Sequence, residues 1–585
     1  MKYENYIGFV RNIKTEKSKT YLTLVLNNEE LEEHSMQIGE FLGVDSGVIL
    51  NKNHTQYLGR LEKVIYKPIE IIDYERPLAL SKLNNEILDE RSLLSINFMH
   101  YEICLLGEIK NENGILKYYP STRNVPTLVD IGVRRLSNDE LQKVVNLSLV
   151  DDNEKSKNEY CIGNLQYGSH IDLTNESVIK NIDINNFIKK RTANFGKTGF
   201  GKSNENKVLI SLLANKFEDL SMLIFDINGE YAFSENTTTA KGLYECFKEL
   251  GIEDKLVVYT NRDSKSLKIN KDDLKIIKPF KMNFYECPEV ALSMLYYKRI
   301  AESGSAPQYI EGLHNNPEDI KNISNKKSYI FASFRKAGLK ADSRIKVMYG
   351  RENAYALEEE YEKFVDGEES LFSKMNDGVE KDKNKDGARE LYNRCNTLSF
   401  LNKLHAYEAH ENLFDSILKD LKDKKIVILD LVTIDPIIVP LISDRIANNI
   451  FREEQELFAK GECFDTILLI EEAHNLLSDN KGIWYRLAKE GRKYGIGMIY
   501  STQSPKSIPN EILSQTENFF VKHVSSSEDV IALEKAKAQF AAPISDFILN
   551  EPVIGLSYVY MEPYQPYVIS VKIKELSEVI EDLKK

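Results

Sequence analysis

Lys190-Arg191-Thr192-Ala193-Asn194-Phe195, then Gly196-Lys197-Thr198-Gly199-Phe200-Gly201-Lys202-Ser203, then Asn204-Glu205-Asn206-Lys207-Val208-Leu209-Ile210-Ser211-Leu212-Leu213 is the stretch that decides the fold. The first segment reads as a strand and the second as a glycine-rich turn. The third reads as a helix, because Val208, Leu209, Leu212 and Leu213 recur at helical spacing and predict one face packed on a sheet. A further strand, Met222-Leu223-Ile224-Phe225-Asp226, follows. Strand, turn, helix and strand in that order open a parallel α/β domain.

The turn fits G-x-x-x-x-G-K-[ST] with a strand before it and a helix after it, the context that gives the pattern its meaning. Its glycines let the backbone curl until N–H groups converge on phosphate oxygens, and the helix N-terminus adds a favourable dipole. Residues Gly196 to Asn204 are therefore expected to bind ATP. Lys202 would reach the β- and γ-phosphates, and the Ser203 hydroxyl would ligate Mg²⁺.

Such a site needs an apolar strand ending in acids, and Thr466-Ile467-Leu468-Leu469-Ile470-Glu471-Glu472 supplies one. Glu471 is expected to hold Mg²⁺, through water, and Glu472 to act as general base on the attacking water. His474 has no HExxH partner and reads as a local hydrogen-bonding residue. Gly495 to Gln503 reads as another buried strand, ending in the polar amide of Gln503. That amide either hydrogen-bonds the γ-phosphate or the attacking water, or caps the next segment. Arg492 lies in the basic turn Glu490-Gly491-Arg492-Lys493-Tyr494, and Arg486 lies nearby. Each is either a finger acting on a neighbouring subunit's nucleotide or an exposed structural arginine.

Outward from these motifs the chain divides into five stretches. Residues 1–175 alternate short β-rich runs with turn signals and predict a small β-barrel and a linker. Residues 176–284 carry the glycine-rich turn. Residues 285–420 are charged and helical and read as an insertion, whose run near Lys381 to Asp386 is too polar to bury. Residues 421–545 hold the remaining apolar strands, and residues 546–585 read as a strand-rich closing segment with a short final helix.

An apolar fraction of 42% suits a globular protein. No apolar run approaches the roughly 20 residues that cross a bilayer, and the first residues lack a signal peptide's apolar core, so the expected location is cytoplasmic. The six cysteines are scattered without metal-site spacing and read as reduced structural thiols. A net charge of −13 argues against a surface that coats nucleic acid as a whole, but leaves room for a local basic groove. One candidate for phosphate contact is Ser333 to Lys346, with Arg335, Lys336, Lys340, Arg344 and Lys346; the solvated-helix reading of it is favoured.

The residues of the turn, Asp226-Ile227-Asn228-Gly229-Glu230-Tyr231, the Glu471-Glu472-Ala473-His474-Asn475 element, Gly491 to Gly495 and Ser501-Thr502-Gln503-Ser504-Pro505 stand in the order and context of HerA-like ATPases of the HerA/FtsK type, which the chain resembles along most of its length. The resemblance implies a RecA-like P-loop ATPase core with a parallel sheet, an N-terminal β-barrel and a helical insertion. It further implies a homohexameric ring with ATP at subunit interfaces, a channel for double-stranded DNA, and a separate effector such as a nuclease of the NurA kind or a sirtuin-like NADase, in DNA end processing or anti-phage defence. Glu471 departs from the commoner Asp at that position. Two other readings stand beside the motor. One is a nucleotide-switched hexameric scaffold that regulates an effector. The other is a secretion-type ATPase, disfavoured by the barrel signal and the lack of a membrane segment.

Overall fold

The computed structural model describes residues 6–16, 19–27, 36–48, 55–68, 97–112, 115–120, 131–146, 159–168, 178–234, 241–263, 267, 271–316, 324–342, 345–349, 353–377, 386–408, 412–477, 482–563 and 565–585. Two compact units emerge, residues 1–212 with 501–583 and 585, and residues 213–500 with 584. Of the polar insertion run, residues 378–385 lie outside the described residues, as do Ser343 and Arg344.

In the first unit the strands β1 (Gly8–Glu16), β2 (Lys19–Asn27), β3 (Phe41–Ser46), β4 (Thr55–Pro68), β5 (Asn97–Glu112), β6 (Ile115–Tyr119) and β7 (Ile131–Arg135) form one antiparallel sheet. Its order is β2-β1-β7-β3-β4-β5, and β2 pairs again with β5, so six strands close into a barrel with β6 at its side. Closure removes the exposed edges that an open sheet would present. The period-2 pattern of β2 explains the filling: Leu22, Leu24 and Leu26 point inward and are buried with Leu42, Val44, Leu61, Ile103 and Val133. The expected barrel is thus present. Helix α1 (Asn138–Val145) follows, opened by a capping box in which Ser137 and Glu140 exchange hydrogen bonds.

The hairpin of β8 (Glu159–Leu165) and β9 (Ile179–Asp183) leads to β10 (Arg191–Phe195) and helix α2 (Lys202–Lys216). The sequence predicts one buried face for this helix, but Glu205 to Ala214 are buried without a break. Ser211 as well as Ile210 is fully buried, so the helix is enclosed on all sides and not laid on a surface.

The second unit carries an all-parallel sheet of β11 (Ser221–Asp226), β12 (Leu256–Thr260), β13 (Ile277–Pro279), β16 (Ile426–Asp430), β17 (Thr466–Ile470) and β18 (Ile496–Thr502), in the order β13-β12-β16-β11-β17-β18. Strands β11, β16 and β17 are buried at every position, as continuous apolar runs require when both faces are covered. Between β13 and β16 lie mostly helices, but also an antiparallel hairpin of β14 (Lys346–Tyr349) and β15 (Asn353–Ala356) that the charge pattern of this region conceals. Helix α3 (Val439–Ala459) precedes β17, and α4 (Ile483–Glu490) precedes β18.

The chain then returns to the first unit. There β19 (Asn518–Val521) pairs in parallel with β10, and β20 (Leu556–Met561) and β21 (Gln565–Ile573) extend the sheet antiparallel until β21 meets β8. The final helix α5 (Leu576–Lys584) ends the chain. Among the described residues no helix is long and apolar enough to cross a membrane. All six cysteines are free thiols.

Glu454 on α3 is fully buried, and burial pushes its carboxyl up to about 8. A carboxyl raised in the folded state favours folding below its unfolded value of about 4.3, and that contribution is lost as pH rises through 8. Between pH 5 and pH 9 the native chain is expected to lose on the order of a few kcal/mol of stability relative to Glu454→Gln, read by chemical denaturation. Equal slopes for the two proteins would contradict this.

Candidate nucleotide-binding site

The glycine-rich turn leaves the end of β10 and enters α2 at Lys202. Three of its residues, Gly196, Gly199 and Gly201, have φ of 151°, 85° and 93°. At Gly199 a side chain would meet nothing within 4 Å, so its glycine serves conformation alone. Gly196 serves close approach, because a Cβ there would lie 2.7 Å from Cβ of Lys522. Its N–H donates to the Thr502 carbonyl at 3.4 Å, and Lys197 N–H donates to the His523 carbonyl at 2.9 Å. The turn is thereby pinned at its start, beside the exposed Gln503.

Lys202 is nearly buried, and its Nζ donates to the Gly196 carbonyl at 2.7 Å, curling back over the loop. Ser203 lies half-buried in the first turn of α2. Phe200, a large residue where small ones are commoner, packs on the His523 ring with centroids 5.1 Å apart. Its carbonyl accepts from Gly555 N–H at 3.3 Å. Asn204 spends its side chain elsewhere: Nδ2 donates to the Lys574 carbonyl at 2.9 Å, and Oδ1 accepts from Leu576 N–H at 3.0 Å. Only its backbone is left to serve a phosphate.

The acidic residues belong to the second unit. Glu471 follows the last residue of β17 and is 2% exposed. Glu472 adopts the left-handed conformation, φ 47° and ψ 51°. Among the described residues only Lys189 and Lys424 share positive φ without being glycine. Such a conformation carries local strain in a residue with a Cβ, and strain of this kind concentrates at functional positions. One carboxylate oxygen of Glu472 is 3.4 Å from Nδ1 of His474. No group of metal-ligating side chains forms a preassembled cluster among the described residues. Acids at a strand end are ligands of the kind Mg²⁺ takes, since it keeps much of its water and needs few from the protein.

The Asp226 loop, at the end of β11, is built around one carboxylate. Asp226 accepts from the N–H groups of Gly229, Glu230 and Tyr231 at 2.7, 3.0 and 3.0 Å. Burial, with the Asp430 charge beside it, raises its carboxyl to about 6 despite those bonds. Asp430 on the neighbouring strand accepts from Thr260 Oγ1 at 2.7 Å and Arg262 Nε at 2.5 Å. The sequence marks this loop by its D-x-N-G-E-Y pattern, but the Thr260 and Arg262 support comes from distant stretches.

Arg486 and Arg492 are both exposed. The guanidinium of Arg486 lies over the Phe451 ring, 5.0 Å from its centroid, whereas Arg492 sits in the one-turn helix Gly491–Tyr494. In the basic stretch after Ser333, Lys336, Lys340 and Lys346 are exposed, in keeping with the favoured solvated reading. Arg335 instead pairs with Glu358 at 2.6 Å and stacks on Tyr361, and Lys336 lies over Tyr392 at 4.3 Å.

Residues 160–450 match the family described as the central domain of the helicase HerA. The chain is 23% identical over 550 residues to a probable helicase, MJ1565, of Methanocaldococcus jannaschii, covering 90% of this chain and 86% of that protein. It is 26% identical over 386 residues to the DNA double-strand break repair helicase HerA of Sulfurisphaera tokodaii, covering 64% of this chain and 61% of that protein. Among solved structures, VirB4 of Thermoanaerobacter pseudethanolicus aligns at 15% identity and a TM-score of 0.39, over 73% of this chain and 99% of that one. The plasmid coupling protein TrwB in complex with ADP and Mg²⁺ aligns at 13% identity and a TM-score of 0.39, over 73% of this chain and 94% of that one.

Replacing Gly196 by Ala would drive a Cβ into Lys522, so Gly196→Ala is expected to weaken ATP binding at least tenfold in calorimetric titration while the barrel stays folded. Undiminished binding would show that the loop tolerates the displacement. With the match over residues 160–450, the glycine-rich loop pattern and the acid-tipped buried strand, the chain is a HerA-like P-loop ATPase.

Proposed function

We propose that this chain is a cytoplasmic ATP-hydrolysing motor that forms a hexameric ring and translocates double-stranded DNA, working with a separate effector such as a nuclease. The observation that carries the reading is that a chain matched to the HerA central domain has a glycine-rich loop fitting G-x-x-x-x-G-K-[ST] between a strand and a helix, and the pair Glu471-Glu472 directly after a buried strand. Relatives named as DNA double-strand break repair helicases support DNA as the object of the work.

In this reading the backbone from Gly196 to Asn204 binds the triphosphate, and Lys202 leaves the Gly196 carbonyl for the β- and γ-phosphates. Ser203 and Glu471 would hold Mg²⁺, which when bound neutralises phosphate charge. Glu472 takes a proton from the attacking water as its oxygen bonds to the γ-phosphorus and the bond to ADP breaks. Gln503 orients that water or the γ-phosphate. Arg492, with Arg486 as the alternative, acts on the nucleotide of the neighbouring subunit.

Glu472→Gln is expected to bind ATP normally and hydrolyse it 10²-fold or more slowly, whereas Lys202→Ala loses binding. Unchanged turnover in Glu472→Gln would remove the base assignment. For the ring, Arg492→Ala and Lys202→Ala chains, each inactive alone, are expected to recover part of the activity when mixed. A mixture as inactive as its parts would exclude a finger in trans.

A further inference from the structure

Lys522 follows the last residue of β19 and carries a side chain with no exposure, beneath the loop that starts at Gly196. Its backbone N–H donates to the Phe195 carbonyl at 2.8 Å, at the end of the strand that feeds the loop. Its Nζ donates to Asn194 Oδ1 at 3.1 Å on that strand and to the Glu205 carboxylate on α2, the helix that leaves the loop. One ammonium thus joins the strand before the turn to the helix after it. Asn194 completes the tie, its Nδ2 donating to the Lys202 carbonyl at 3.2 Å and to Asn206 Oδ1 at 2.9 Å. The other Glu205 oxygen accepts from Ser557 Oγ at 3.4 Å.

A buried ion pair is a costly way to fasten two elements, since apolar side chains of similar volume commonly do as well or better. The charge therefore calls for a reason beyond fastening. We propose that Lys522, held between Asn194 and Glu205, is a positioning residue of the nucleotide site that fixes the two ends of the phosphate loop and sets a positive charge beneath it for the triphosphate. This rests on the reading of Gly196 to Ser203 as an ATP site. Burial and the nearby Lys202 charge both hold the Lys522 ammonium well below the usual lysine range. Phosphate groups arriving above the loop relieve that penalty, so affinity rises with the number of phosphates.

The test replaces both charges by apolar groups, Lys522→Met with Glu205→Leu, in the full chain, because either single change would leave a buried charge alone. Binding of AMP-PNP with Mg²⁺, of ADP and of AMP is measured by calorimetry, and thermal unfolding is followed in parallel. The expected result is a folded protein whose affinity for AMP-PNP falls at least tenfold and for AMP less than threefold, with KM for ATP raised and kcat changed less than threefold. A folded double variant that binds AMP-PNP like the native chain overturns the proposal. So does a double variant that fails to fold, since the pair would then be a folding element. A native chain that binds no nucleotide would instead sink the ATP-site reading itself, and Lys202→Ala, run alongside, marks that level.

Discussion

The proposed phosphate-binding loop has to keep a row of backbone N–H groups free of the rest of the fold, and the first unit is arranged around that constraint. Uncommitted amides favour collapse onto the nearest acceptor. Here the loop is held from below and at both ends: Gly196 by Thr502, Lys197 by His523, Phe200 by Gly555, and the flanking strand and helix by Lys522 through Asn194 and Glu205. The C-terminal strands take part in this. β20 pairs with β19, and Asn204 is tied to Lys574 and Leu576, so residues more than 350 positions downstream support the start of α2.

The second unit solves a complementary problem, the presentation of acids at the end of an apolar sheet. β17 is buried throughout, and the chain breaks from it at Glu471 into a left-handed residue at Glu472. Neighbouring strand ends carry Asp226 and Asp430, but these are turned to structural use, one capping a loop and the other receiving Thr260 and Arg262. Carboxylates at the carboxyl ends of parallel strands thus separate into supporting and proposed catalytic roles according to what accepts or donates around them.

Much of this was legible in the sequence, because its signals are local. The glycine pattern of Gly196 to Gly201, the alternation of Leu22, Leu24 and Leu26 and the apolar run from Thr466 to Ile470 each express a constraint within a few residues. What was hidden depends on distant partners. Lys522 and Glu205 are 317 positions apart and neither sits in a recognisable motif. The hairpin β14–β15 lies among charged residues whose composition favours helix and loop. The all-round burial of α2 was masked by Glu205, Asn206 and Lys207, polar residues that read as a solvent face but are buried. Arg335 read as surface charge because its partners Glu358 and Tyr361 leave no trace in the local sequence.

The proposed function is a nucleotide-driven motor with DNA as its load. The steady-state ATPase rate of the purified chain, measured with its mass in solution against increasing linear double-stranded DNA, tests this most directly. The account predicts a hexamer whose hydrolysis is stimulated severalfold by duplex and saturates with it. Hydrolysis indifferent to DNA, or undiminished in a monomer, would contradict the motor and leave a nucleotide-switched scaffold in its place.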